Sequence, residues 1–225
     1  RLLQTGRAKV VAELSNAVYQ WRFMAGMMGV PFLPSRNMLG TDTLRYSSCK
    51  VVEDPFTKKP ICLVPAAYPD VTFIHVPRAD RFGNCQIDGI VVEDFELSRC
   101  ARRVIITTEQ IISEDEIRAK PDCTVIPYFV VDGVVEVPHG SHPCEMRYLY
   151  EFDEEHIAEW LSVSKTDQGV DDYFKKYVHG VPDFAAYLEL VGGQALMDRL
   201  GRIERYEESM VAPWRASAKG TGGAK

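Results

Sequence analysis

No apolar run in this chain approaches the roughly 20 residues that a helix needs to cross a bilayer, and no signal-peptide pattern is visible in it. The expectation is a cytoplasmic protein with no membrane partner. Basic charge is not in excess. Lys and Arg total 26 against 32 Asp and Glu, a net charge of −6, which argues against a non-specific nucleic-acid binder. An anionic ligand remains compatible, because local N–H groups can meet it on an acidic surface. Cysteine is scarce and scattered. Cys49, Cys62, Cys85, Cys100, Cys123 and Cys144 form no Cys-x-x-Cys pair, so neither a disulfide scaffold nor a redox motif is indicated. Most of them read as reduced apolar fillers. His142 and Cys144 lie close enough for half a zinc site, but a second ligand pair is missing and no metal is expected. Also absent are Gly-x-Gly-x-x-Gly, a Walker loop and a Gly-x-Ser-x-Gly elbow, so nucleotide hydrolysis and serine esterase chemistry lack support. No internal repeat is visible.

What is present suits an α/β protein. Of the 225 residues, 46% are hydrophobic and 26% charged, enough for a sizeable core. Val10, Leu14, Val18, Trp21, Met24 and Met28 recur at helical spacing up to Gly29 and Pro31. Pro31 to Pro34 reads as a short extended piece. Lys50–Asp54 and Ile61–Pro65 flank a proline-bounded turn as a hairpin. Val71–Val76 and Val104–Thr108 are β-branched runs typical of buried strands. Residues 91–102 alternate as a helix, and Ser113 with Glu116 fits a capping box. Residues 125–131 and Val134–Val137 read as two strands joined at Asp132-Gly133. Beyond Tyr150 three helices are expected, over Asp153–Ser164, Asp171–Val178 and Asp183–Tyr206. Glu189, Asp198, Arg202, Glu204 and Arg205 mark the solvated face of the last. Strands alternating with helices predict an open, mostly parallel sheet flanked by helices. The domain reading is an α/β core over 1–150, a helical region of the same domain over 151–215, and a disordered Ala/Gly/Lys-rich tail over 216–225.

Few residues suggest chemistry. The turn from Asp80 to Asn84 follows a buried strand and ends in Gly83-Asn84, a backbone that Gly and Asn tolerate best. Such turns lie where α/β proteins bind ligands, although an ordinary tight turn reads the same way. His75, on an apolar strand, is more often a packed residue than a base. Glu109 ends a strand, where a ligand contact and a turn contact are equally natural. Arg102 and Arg103 read as a solvated helix end. Pro138-His-Gly-Ser-His-Pro143 follows a strand, carries Gly140 and two imidazoles, and suits a backbone-to-ligand contact.

Taken in order, Gly29-Val-Pro-Phe-Leu-Pro34, Gly40-Thr-Asp42, Ala79-Asp-x-x-Gly-Asn84, Thr108-Glu-Gln-Ile-Ile-Ser113 and Gly140-Ser-His-Pro143 resemble the A (alpha) subunit of family I coenzyme A transferases, glutaconate CoA-transferase type. Ser162–Lys165 and the tyrosine-rich helices after it resemble the C-terminal part of that subunit. The likeness runs from about Lys9 to about Leu200. It implies a CoA-transferase-like fold, with an N-terminal portion of the family domain missing here. It also implies covalent catalysis through a glutamyl-CoA thioester. The nucleophilic glutamate would belong to a partner B subunit in an A2B2 or larger hetero-oligomer, leaving no catalytic residue in this chain. No cofactor is implied beyond the coenzyme A thioester as substrate. Motif position puts Ser15, Gly40, Gly83, Asn84, Gly140, Ser141 and His142 at the acyl pocket, and makes the helical third a partner-contact surface. Two alternatives stay open: an acyl-CoA hydrolase of the same fold, and a non-catalytic acyl-CoA or sugar-phosphate binding module.

Overall fold

Helical spacing after Ser15 produces α1 (Asn16–Met27), stopped at Gly29, whose φ of +68° a side chain would disfavour. The computed structural model describes residues 2–208. The helix is shorter than its apolar pattern, which begins at Val10. The backbone N–H of Glu13 instead donates to the Tyr46 carbonyl at 3.0 Å, so this stretch bonds as an irregular strap, with Val11 exposed. The chain divides into one unit ending at Glu136 and another beginning at Val137.

In the first unit, β1 (Phe32–Ser35), β2 (Lys50–Glu53) and β3 (Pro60–Pro65) form an antiparallel sheet in the order β1-β3-β2. The expected hairpin is β2–β3, with Val51 opposite Cys62. This sheet and α1 enclose Val18, Met38, Cys49, Cys62 and Val64.

The second sheet of this unit positions the chemistry. It comprises β4 (Thr72–Ala79), β5 (Cys85–Gln86), β6 (Val104–Ile111), β7 (Thr124–Ile126) and β8 (Gly133–Glu136) in the order β7-β5-β4-β6-β8. Its longest strands, β4 and β6, are parallel, and β8 runs parallel to β6. The short β5 and β7 add an antiparallel edge. Helices α2 (Asp94–Cys100) and α3 (Glu114–Ala119) belong to this unit, and Ile74, Val76, Val104, Ile106 and Ile126 form its core. Ser113 and Glu116 complete both halves of the capping box on α3.

The hairpin expected at Asp132-Gly133 does not form: β7 and β8 lie on opposite edges of the sheet. Pro127 opens a 3-10 turn over Tyr128–Val130 that ends the strand. Asp132 then clamps the chain beside β6. Its carboxylate accepts from the Val104 N–H and its own N–H donates to the Val104 carbonyl, both at 2.8 Å.

The second unit holds α4 (Glu154–Val163), α5 (Asp167–Phe174) with a π-turn over Lys175–His179, α6 (Phe184–Val191) and α7 (Gly193–Glu204). Helix α5 starts earlier than expected because Thr166 caps it, accepting from the Gly169 N–H. The single helix expected over Asp183–Tyr206 is broken at Gly192 and Gly193, both with positive φ. Glu204 is not on a solvated face. It is buried, accepting from the Tyr148 N–H at 2.8 Å and from Arg147 at 3.2 Å. The tail over 216–225 lies outside the described residues.

Helix α1 approaches its neighbours through Gly26, where an added Cβ would meet the Ala67 carbonyl oxygen and lie 2.9 Å from the Cys100 Cβ. Gly26→Ala is therefore expected to destabilise the first unit by about 1–3 kcal/mol. An unchanged midpoint in urea unfolding would contradict this packing.

Candidate functional site

Where β4 ends, Asp80 organises a tight turn. Its buried Oδ1 accepts from the backbone N–H groups of Phe82, Gly83 and Asn84, each at 2.9 Å, and Oδ2 accepts from Asn84 Nδ2 at 2.7 Å. Gly83 has φ +103°, and a Cβ there would lie 2.7 Å from that of Val131. Asn84 Oδ1 accepts from the Tyr128 N–H, tying the turn to the segment after β7. Gly83 and Asn84 thus hold the turn in shape. Beside it, burial and then the Asp80 charge push the Cys85 thiol up to about 12, leaving it protonated and unreactive at neutral pH.

The pairing of β4 with β6 sets His75 opposite Thr107. His75 Nδ1 lies 2.8 Å from Thr107 Oγ1, and Nε2 lies 2.7 Å from Glu109 Oε1. The imidazole therefore bridges a hydroxyl and a buried carboxylate, in the order required to relay a proton. The sequence raised His75 and Glu109 separately. Both lie on the same face of adjacent strands, which becomes evident only once the register is known.

Ser15 belongs to another cluster, with Asn37 and Ser35, and Gly40 lies in the loop that follows them. Ser15 precedes α1, but its hydroxyl accepts from Asn37 Nδ2 at 3.2 Å in place of capping the helix. Asn37 in turn donates its N–H to the Ser35 hydroxyl at 3.0 Å. Gly40 has φ +78° with open space where a Cβ would stand, so its role is conformational. Asn37, the connecting residue, escaped the sequence reading because it sits in the irregular loop between β1 and β2. No hydrogen bond among the described residues joins this cluster to Gly83 and Asn84.

Gly140, Ser141 and His142 lie in the second unit. The Ser141 N–H donates to the Tyr150 hydroxyl at 3.1 Å. The His142 side chain is fully buried: Nδ1 pairs with the Tyr187 hydroxyl at 2.7 Å and Nε2 with Asp153 Oδ2 at 3.2 Å. Both ring nitrogens are thus engaged, and no group of three or more His, Cys, Asp or Glu among the described residues is arranged to hold a metal. His156 lies beside it, ring centroids 5.5 Å apart, with Nε2 at 2.6 Å from the Tyr173 hydroxyl.

Burial first, then the adjacent His142, holds the His156 imidazole below its ordinary value. Burial alone would raise Asp153, but hydrogen bonds from His142 and the His156 N–H outweigh it and hold that carboxyl low. Burial pushes the Tyr187 phenol up, so it stays a neutral hydroxyl at physiological pH.

These shifts fix a sign. Below about pH 6.5 the unfolded chain takes up a proton at His156 that the folded unit resists. The contribution of His156 to stability is present above that pH and is lost as pH falls through the depressed folded value. Asp153 adds a further loss below about pH 3.8. Urea unfolding followed by circular dichroism between pH 7.5 and 5.5 is expected to show this decline, and His156→Gln to flatten it. Equal slopes for both proteins would refute the assignment.

Comparison with known proteins adds the lineage. Residues 3–137 match the family described as Coenzyme A transferase. An uncharacterized protein of Archaeoglobus fulgidus is 55% identical over 215 residues, covering 96% of this chain and 48% of that protein. The A subunit of the 3-oxoadipate CoA-transferase of Pseudomonas knackmussii is 32% identical over 177 residues, covering 78% of this chain and 60% of the relative. The crystal structure of glutaconate coenzyme A-transferase from Acidaminococcus fermentans superposes with a TM-score of 0.84 at 28% identity, covering 88% of this chain and 68% of that one. The chain thus spans about half to three-fifths of these two curated relatives.

Proposed function

The chain belongs to the coenzyme A transferase family, and from that premise we propose that it is the A-type component of a two-subunit, cytoplasmic enzyme moving coenzyme A from an acyl-CoA to a carboxylic acid. The observation that carries this reading is the family match across residues 3–137, together with the fold shared with glutaconate coenzyme A-transferase. In the proposed reaction the thioester carbonyl is attacked by a glutamate of the B subunit, which expels CoA thiolate and gives a mixed anhydride. The thiolate then attacks the glutamyl carbonyl and releases the donor acid, leaving glutamyl-CoA. An acceptor acid reverses both steps and emerges as the new acyl-CoA.

The share of this chain would be substrate-facing surfaces in each unit: around Ser15, Gly40, Gly83 and Asn84 in the first, and around Gly140, Ser141 and His142 in the second, with the helical unit also part of the subunit contact. Three of its acids support leaving the nucleophile to the partner. Asp80 is bound by amide N–H groups, Glu109 by His75 and Asp153 by His142, and a carboxylate held in this way attacks poorly. For His142 the side-chain geometry favours a supporting role, with the backbone of the loop nearest the ligand.

The test uses the native complex with its co-purifying subunit, incubated with an acyl-CoA and then treated with borohydride or hydroxylamine. Modification of a single partner glutamate is expected, with CoA passing to added acetate. Modification of a carboxylate in this chain would overturn the division of labour. Release of free CoA independent of acetate would make the enzyme a hydrolase.

A further inference from the structure

The helical unit carries a cavity that His142 also lines, but whose aromatic wall has no part in the transfer reaction as proposed. Tyr173, Tyr177, Phe184 and Tyr187 wall an open space of about 470 Å3, with His142 and Asp183 also lining it. That volume suits a small organic ligand. The phenol groups are already committed within the protein. Tyr187 pairs with His142, Tyr173 with His156, and Tyr177 donates to Glu159 at 2.8 Å while accepting from Lys176 at 2.6 Å. What the tyrosines have left to offer is the ring surface not packed on neighbouring rings, with Tyr177 itself buried. Phe184 and Tyr187 are stacked at 5.5 Å, and the Tyr177 ring crosses that of Tyr187 at 77°.

Charge narrows the ligand further. Asp183 at the cavity, Asp153 behind His142 and Glu159 behind Tyr177 outnumber Lys176. A free carboxylate or phosphate is disfavoured in such a field. Asp183 Oδ1 caps α6 by accepting from the Ala186 N–H at 2.9 Å. Oδ2 makes no hydrogen bond to any other described residue, and Asp183 is exposed, so this acceptor stands open at the mouth of the cavity.

We propose that this cavity binds a planar nitrogen heterocycle bearing an N–H donor, of the adenine type, stacked on the aromatic wall with its amino group on Asp183. Base-on-ring stacking needs no further polar partner, which matches a wall of saturated phenols. The same heterocycle occurs in a free nucleoside and at the end of coenzyme A. Only the latter source depends on the function proposed above.

Calorimetric titration of the full chain with adenosine, which carries neither phosphate nor thioester, tests the proposal. Saturable binding at one site is expected. Asp183→Asn keeps a competent cap and is expected to weaken binding roughly tenfold, as one charge-assisted hydrogen bond would. Phe184→Ala is expected to weaken it by a similar factor of about ten. Tyr187→Phe keeps the ring and should change affinity by no more than about twofold. Competition by coenzyme A would make its adenine the natural occupant, and adenosine binding without competition would point to a free nucleoside. Either result supports the site. No adenosine binding, or binding indifferent to Asp183→Asn and Phe184→Ala, overturns it. Binding of tetramethylammonium in place of adenosine overturns it too, in favour of a cation cage. Adenosine binding in a chain whose complex fails to transfer CoA would refute the transfer reading alone.

Discussion

The parallel pairing of β4 with β6 is the constraint on which the first unit depends. Its register runs from Thr72 opposite Val104 to Ala79 opposite Ile111. One face sends Ile74, Val76 and Ile106 into the core, and the other brings His75 against Thr107. A slip of one residue would exchange those faces, exposing the core and burying the polar bridge. The pairing also fixes where β4 ends, and so where the Asp80 turn begins. The Ile112 N–H donates to the Ala79 carbonyl at 2.8 Å, joining the two strand exits.

Buried acids are handled alike in both units. Asp80 collects three backbone amides, Glu109 faces an imidazole, Asp153 holds His142 while capping α4, and Glu204 anchors the Tyr148 backbone. Each carboxylate is met by donors, as burial of charge demands. The result is a chain rich in organised polar geometry in which each of these four buried acids is engaged by partners within the fold.

The strands and helices were legible where local chemistry governs them. The β2–β3 hairpin, the capping box on α3 and the stop of α1 at Gly29 all follow from short-range signals. Errors arose where distant partners intervene. Asp132-Gly133 resembles a hairpin turn, yet the Asp132 carboxylate is drawn to Val104, which no local pattern reveals. Val10 and Leu14 continue the apolar period of α1, but a backbone bond to Tyr46 takes that stretch out of the helix. Glu204 looked solvated because its partners lie far away in sequence. The candidate site was legible as separate pieces. The Asp80 turn was evident from Gly83-Asn84, whereas the bridge from His75 to Glu109 and the role of Asn37 required strand register and loop closure.

The distribution of thiols carries a practical consequence. Cys49, Cys62, Cys85 and Cys100 are buried, and burial raises Cys62 to about 11. Cys123 is half-buried, and Cys144, just past the His142 loop, is the one exposed thiol among the described residues. A maleimide fluorophore would therefore settle there first, giving an optical reporter on the helical unit without any engineered attachment point.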